Sequence, residues 1–259
     1  MIALLSSAKT LDFSTPWSSP APTKPECLDD AKAIMRELRK LSPMEIQRLM
    51  GISPKLAQLN AERFATLGTT LTRDNAKPAL LAYQGDVYAA MGSTTFGKDD
   101  LAFAQRTLRI ISGLYGIVRP LDLIQPYRLE MAIKLAGPRW RDLYDFWSAR
   151  VTRILDRDIR ADAGLLINLA SQEYFKTLDA SQLGSPVLTL TFKQDRRGRV
   201  EMVPILAKRA RGLMAGFIVR QRITDPTRLR DFDVEGYRFA KDQSHDAEWV
   251  FVRSENLRD

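Results

Sequence analysis

From Leu108 to Met131 the chain reads LRIISGLYGIVRPLDLIQPYRLEM, an apolar run that can open a buried strand but cannot prolong it. Gly113 and Gly116 admit backbone conformations and close approaches that a Cβ forbids, and Pro120 and Pro126 fix φ and stiffen the connection. A strand forced to turn in this way presents Ser112, Tyr115, Arg119, Asp122, Tyr127, Arg128 and Glu130 on a rigid, glycine-punctuated loop. Loops of that kind, held by a scaffold, are where binding groups collect. The plainer alternative is an inter-element connection whose arginines pair with nearby carboxylates.

Both kinds of regular element surround this stretch. Ile2 to Leu5 reads as a short buried strand, and its carboxyl end, where ligands gather in open α/β sheets, carries Ser6, Lys9 and Thr10. Four prolines between residues 14 and 27 predict an extended loop. From Leu28 to Leu41 the apolar residues follow the helical period, with Asp29 and Asp30 at the positive N-terminal end. Asp99 to Gln105 reads as a short helix, Leu108 to Ile111 as a strand and Trp140 to Ile159 as an amphipathic helix. Leu165 to Ala170 reads as a buried strand, Pro186 to Lys193 with Val200 to Val203 as a hairpin, Ile205 to Arg222 as a long helix and Trp249 to Val252 as a closing strand. Such a mixture predicts one α/β (mixed α+β) body over residues 1–259, with a helical insertion near its start.

That insertion is a tight pair of helices at about 42–66. Ser42, Pro43 and Glu45 form a capping-box start, Gly51 suits the left-handed stop, and Ser53 with Pro54 repeats the start signal. The layout is that of a helix-hairpin-helix element, whose turn aims backbone N–H groups at a phosphate without reading base identity. Gly51, Ser53, Lys55, Arg48 and Arg63 are the groups it offers to nucleic acid. The usual turn is Gly-hydrophobic-Gly, and here Ser53 stands in the third place. An ordinary antiparallel helix pair is the alternative.

With 39 Lys and Arg against 31 Asp and Glu, the formal net charge is +8, which favours a polyanionic partner. One cysteine and one histidine exclude an intramolecular disulfide and a Cys/His metal centre, so neither a metal nor a cofactor is predicted. A serine–histidine triad would need His245, which sits in a polar run, and Cys27 has no basic cluster to activate it. No stretch approaches the roughly 20 apolar residues of a membrane span. The start MIALLSSAKTLDF has no basic leader, so a cytoplasmic protein is expected.

Three further clusters carry chemistry. In NLASQEYF, Asn168, Ser171, Glu173 and Tyr174 lie at a strand exit and the first turn of a helix, where they either reach a ligand or simply cap the element. Glu173 and Glu130, each set among arginines and aromatics, are the candidate catalytic acid or base. In AKRARGLMAGF, Lys208 and Arg211 share a helix face with Arg209 beside it, while Gly212 and Gly216 leave room for close packing. Ser6 and Lys9 also match a Ser-x-x-Lys spacing, a short pattern frequent by chance.

Taken together, LLSSAKTLDF, YQGDVYAA, the 108–131 run, INLASQEYF and AKRARGLMAGF resemble the YaaA family of bacterial peroxide-stress proteins, in the family's order over nearly the full chain. The resemblance implies a single body of the "cantaloupe" type with a helix-hairpin-helix element and a positively charged cleft. It further implies binding of double-stranded DNA without sequence preference, and a cytoplasmic role in limiting oxidative damage to DNA and proteins that is linked to intracellular free iron. It places Ser6, Lys9, Thr10, Gly85, Tyr88, Ser112, Gly113, Tyr115, Gly116, Arg119, Tyr127, Arg128, Glu130, Asn168, Ser171, Glu173, Tyr174, Lys208, Arg209 and Arg211 on shared positions without assigning a reaction. In YAAM at 88–91 an alanine follows the tyrosine where the family usually has glycine. Two functions follow: a duplex-binding stress protein whose cleft is lined by Lys208, Arg209, Arg211, Arg119 and Arg128, or an enzyme acting on a nucleotide or modified base in that cleft. In the second, Tyr115 or Tyr127 stacks on the base. Direct iron sequestration is disfavoured by the single histidine and the absence of a Glu-x-x-His spacing.

Overall fold

A computed structural model describes residues 1–18, 21–161 and 164–254. In chain order, β1 (Ile2–Ser6) and β2 (Thr10–Leu11) precede α1 (Leu28–Arg39), α2 (Pro43–Met50) and α3 (Pro54–Thr66). Next come β3 (Lys77–Pro78), α4 (Ala79–Ala82), β4 (Tyr83–Gln84), α5 (Asp86–Met91), α6 (Lys98–Thr107), β5 (Leu108–Ser112), β6 (Gly116–Val118) and β7 (Leu123–Ile124). The second half contains α7 (Leu143–Ala161), β8 (Leu166–Asn168), α8 (Gln172–Phe175), β9 (Val187–Arg196), β10 (Arg199–Glu201), α9 (Pro204–Arg220), β11 (Tyr237–Phe239) and β12 (Glu248–Ser254).

The main sheet has eight strands in the order β11-β12-β9-β8-β1-β5-β6, with β10 paired to β9. Strand β1 lies inside it, parallel to both neighbours, Ala3 lying opposite Leu108 of β5 and Ile167 of β8. A strand covered on both faces must be apolar throughout, and Ile2, Ala3, Leu4 and Leu5 are all buried. Burying each of the larger side chains contributes about 1.5–3 kcal/mol. The sheet is thus mixed, with β8, β1, β5, β9 and β12 parallel and β6, β10 and β11 antiparallel at its margins. One contiguous core joins strands and helices into a single mixed α/β body.

The helical pair forms as its sequence dictates. Glu45 Oε2 accepts the Ser42 N–H at 2.7 Å, and Ser42 Oγ accepts the Glu45 N–H at 3.4 Å, which closes the capping box. Gly51 stops α2 with φ 61°, and Ser53 Oγ accepts the Leu56 N–H to start α3. Ile46, Ala57 and Phe64 are buried, and α3 packs on α1.

Several boundaries depart from the sequence reading by a residue or more, and three departures have a visible cause. The stretch after β5 is no open loop, because β6 turns back antiparallel on β5 and β7 pairs with β3. Helix α7 starts at Leu143 rather than Trp140, since Gly137 and Trp140 exchange backbone hydrogen bonds that hold the preceding turn open. Strand β9 runs on to Arg196, because β12 pairs with it as far as Asp195 and β10 folds back on its end.

Candidate functional site

A cavity of about 240 Å³ opens at the carboxyl ends of β1 and β8, with α5 and α9 on its other side. The strand ends supply Ser6, Ser7, Lys9 and Thr10 from one chain segment and Leu169, Ser171, Glu173 and Tyr174 from another. These two segments are tied directly. The Ser171 N–H donates to Ser6 Oγ at 2.9 Å, and Ser6 Oγ lies 3.3 Å from Ser171 Oγ as the donor. Ser171 therefore does not cap α8 with its side chain, and its own hydroxyl proton is left to point elsewhere. Tyr88 OH donates to the Ser6 carbonyl at 2.8 Å, which fixes the strand end against α5. Burial pushes the phenols of Tyr88 and Tyr174 up, so both stay protonated at neutral pH.

The carboxylates have distinct settings. Glu130 is buried and its Oε1 accepts from Lys9 Nζ at 2.9 Å and from Arg128 Nη2 at 3.2 Å. Its Oε2 is buried with no partner among the described residues, as is Arg128 Nε. Lys9 thus joins the cavity wall to Glu130 behind it. Glu173 lines the cavity and its Oε1 accepts the Ala132 N–H at 3.1 Å, which anchors the carboxylate to the segment after Glu130.

Helix α9 brings the cations. Gly212 packs so closely on α5 that a Cβ there would run into the Val87 carbonyl, and a Cβ on Gly216 would lie 2.7 Å from the Met91 carbonyl oxygen. That contact sets Lys208, one helical turn before Gly212, and Arg211, next to it, into the cavity wall. Arg211 is half-buried, and desolvation lowers its guanidinium pKa from the ordinary value.

A family profile described as peroxide stress protein YaaA matches residues 1–243. The chain belongs to the YaaA family. Similar relatives include the UPF0246 protein RSc2009 of Ralstonia nicotianae, 48% identical over 254 residues that cover 98% of this chain and 99% of the relative. The UPF0246 protein Bcep18194_A5551 of Burkholderia lata is 48% identical over 256 residues, 98% of each chain. A UPF0246 protein of Cellvibrio japonicus is 46% identical over 256 residues, covering 98% of this chain and 99% of its own.

In this YaaA family member the sequence-predicted residues divide among separate places. Ser6, Lys9, Thr10, Gly85, Tyr88, Ser171, Glu173, Tyr174, Lys208 and Arg211 meet at the cavity. Ser112, Gly113, Tyr115, Gly116 and Tyr127 are buried and do not line it. Tyr127 OH lies 2.7 Å from Tyr83 OH and 2.6 Å from Ser112 Oγ, while Tyr115 OH accepts the Gln125 N–H. A ring held so cannot stack on a base. The two glycines make room for the protein's own core instead of a ligand: a Cβ on Gly113 would run into the Leu129 carbonyl, and on Gly116, at φ 67°, it would lie 2.7 Å from the ring of Trp147, whose Nε1 donates to the Gly113 carbonyl at 2.9 Å. Asn168 serves the strand end, with Oδ1 accepting the Ala170 N–H and Nδ2 donating to Thr189 Oγ1.

The basic residues also separate. Arg209 pairs with Glu235 away from the cavity, and Arg119 pairs with Asp122 in a second depression that also holds Glu26, Arg109, Arg157 and Asp158. Gly51, Ser53, Arg48 and Lys55 are exposed on the hairpin, and no residue of α2 or α3 lines the cavity. The five cleft cations therefore do not line one trough: side chains adjacent on a helix differ by about 100° in direction, and Arg209, Arg119 and Arg128 are each drawn to a carboxylate while Lys208 and Arg211 stay at the cavity. Gln84, Asp86 and Val87 line the cavity and were not singled out from sequence. The local sign was Gly85-Asp86, a turn glycine followed by an acid at the first helical position.

Proposed function

We propose that this YaaA family protein binds double-stranded DNA without sequence preference in the cytoplasmic response to peroxide, and so limits oxidative damage to DNA and proteins and the burden of free iron. The membership supplies the peroxide-stress setting. What supports duplex binding is the hairpin. Its exposed turn at Gly51 to Ser53 joins α2 to the N-terminus of α3, whose positive dipole end and Lys55 N–H, left over once Ser53 takes the Leu56 and Ala57 amides, suit a phosphate. Arg48 and Lys55 flank it and make no ion pair among the described residues, Arg48 Nη2 donating to Met44 Sδ.

A salt titration of duplex binding tests this. Affinity falls log-linearly with salt by about 0.9 in slope per phosphate neutralised, alike for unrelated sequences, and Lys55→Glu reduces the slope by about 1. Binding that ignores salt, or survives Lys55→Glu with an unchanged slope, defeats the proposal.

A second reading is favoured by the enclosed cavity: an enzyme acting on a nucleotide or modified base, with Glu173 or Glu130 as acid or base. The unpaired Glu130 Oε2 beside the Lys9 contact supports it, since a buried acceptor without a donor is suited to take a proton or a ligand hydrogen bond. Turnover assays across nucleotides and damaged oligonucleotides, with Glu173→Gln and Glu130→Gln as controls, decide it.

A further inference from the structure

Two arginines among the described residues, Arg63 and Arg211, are half-buried with neither a hydrogen-bond acceptor nor a carboxylate beside them. Only Arg211 of the two lines the cavity. Other withdrawn guanidiniums are neutralised: Arg109 by Asp158, Arg128 by Glu130 and Arg150 by Asp30. A cation partly removed from water and given no counter-charge is unfavourable unless an anion completes the site. Lys208, three residues earlier on α9, faces the same cavity and makes no ion pair either.

We infer that Arg211 and Lys208, together with the Ser171 hydroxyl, bind the phosphate of a small phosphomonoester, such as a nucleoside monophosphate or sugar phosphate. The inference deepens the reading of the cavity as a nucleotide site and is independent of duplex binding at the hairpin.

Charge and donors both select this group. A phosphomonoester carries about −1.5 to −2 at neutral pH and three acceptor oxygens. Two cations without counter-charges match a dianion better than a phosphodiester or a carboxylate, each of which carries a single charge. Ser6 Oγ donates to Ser171 Oγ, so the Ser171 hydroxyl proton is free to complete the donor set. The remaining polar wall mixes Ser7, Thr10, Gln84 and the Lys9 already paired with Glu130 with two carboxylates, Asp86 at the exposed rim and Glu173, whose Oε1 accepts the Ala132 N–H. Those carboxylates repel an anion and accept from hydroxyl or amino groups, so they fit the other end of the same ligand, a sugar or a base. A cavity of about 240 Å³ suits a ligand of that size and is too small for a duplex.

The experiment is titration calorimetry on the intact chain with inorganic phosphate, ribose 5-phosphate, adenosine monophosphate, adenosine, and a short duplex with or without a 5′-phosphate. Both phosphomonoesters bind, inorganic phosphate competes with them, and adenosine binds about 10- to 100-fold more weakly, the loss of a charge-assisted contact. Arg211→Gln and the exposed Lys208→Gln each weaken the monoesters by a similar factor, while Arg153→Gln on α7 changes nothing. The ligand-free melting temperature of Arg211→Gln is equal to or above that of the parent, because an uncompensated cation has been removed. A lower melting temperature together with unchanged ligand binding assigns Arg211 to packing and overturns the inference. Adenosine binding as well as its monophosphate in every variant overturns the phosphate assignment and leaves the nucleotide-site reading standing. Binding of the 5′-phosphorylated duplex alone, with no small monoester bound, overturns the assignment to a small ligand. No binding by any small compound overturns both the phosphate assignment and the nucleotide-site reading.

Discussion

Ser6 and Ser171 are 165 residues apart in the chain, yet the Ser171 N–H donates to Ser6 Oγ at 2.9 Å and so links the ends of β1 and β8. The hydroxyl thus replaces the water that would solvate the first free amide after β8. Ser6→Ala leaves that half-buried N–H without its acceptor and costs about 1–2 kcal/mol. Urea unfolding monitored by circular dichroism reads this as a lower midpoint with an unchanged slope. A midpoint equal to the parent's would mean that the bond contributes nothing.

Gly212 permits the contact between α9 and α5, and nothing larger fits. Gly212→Ala drives a Cβ into the Val87 carbonyl, a backbone atom that cannot swing aside. Overpacking of this kind costs about 1–3 kcal/mol and displaces Lys208 and Arg211 from the cavity wall. Thermal unfolding shows the loss. An alanine variant as stable as the parent contradicts the packing described.

One contribution to acid sensitivity comes from the pairing of α1's leading segment with α7. Burial alone would raise the Asp158 carboxyl, but hydrogen bonds from Arg157 and Arg109 outweigh it and hold it below the ordinary range. Hydrogen bonds from Arg157 do the same for Glu26 against the opposing effect of burial. A carboxylate whose folded pKa is depressed stabilises the fold above its unfolded value and loses that contribution as pH falls through the folded one. Stability from this cluster is therefore full above about pH 5 and declines below about pH 4. Asp158→Asn costs about 3 kcal/mol at pH 7, because Arg109 loses its counter-charge, and flattens the acid limb of the stability profile. A variant with an acid limb as steep as the parent's refutes the assignment.

Cys27 is fully buried at the start of α1, and burial pushes its thiol up to about 11. Thiolate is the reactive form, so the native thiol resists both disulfide reagents and peroxide. Ellman's reagent releases no chromophore from the native chain and one equivalent in denaturant. Rapid native labelling would contradict the burial.

Local chemistry was the part of the fold written most openly in the chain. Ser42, Pro43, Glu45 and Gly51 act within one helix and its cap, so the hairpin could be read without knowing anything distant. The apolar run at Ile2 to Leu5 likewise announced a strand buried on both faces. The cavity was half legible. Ser6, Lys9, Ser171, Glu173 and Lys208 stand out at strand exits and by helix phase, but the segments that meet at the cavity lie far apart in the chain. Tyr115 and Tyr127 show the limit: their polar tips suggested a ligand, whereas Ser112, Tyr83 and the Gln125 amide satisfy them inside the core. Arg209 and Arg211 are indistinguishable as letters. Only the position of Glu235 separates a paired arginine from an unpaired one.

The interior place of β1 governs how this molecule comes into being. Its partners β5 and β8 begin 106 and 164 residues after it, at Leu108 and Leu166 against Ile2. During translation the most apolar strand of the sheet therefore leaves the ribosome long before either flank exists to cover it. Such distant parallel pairing makes for slow acquisition of the native state and a sticky nascent chain. The hazard for this protein thus falls in the interval before that strand is covered rather than in the finished core.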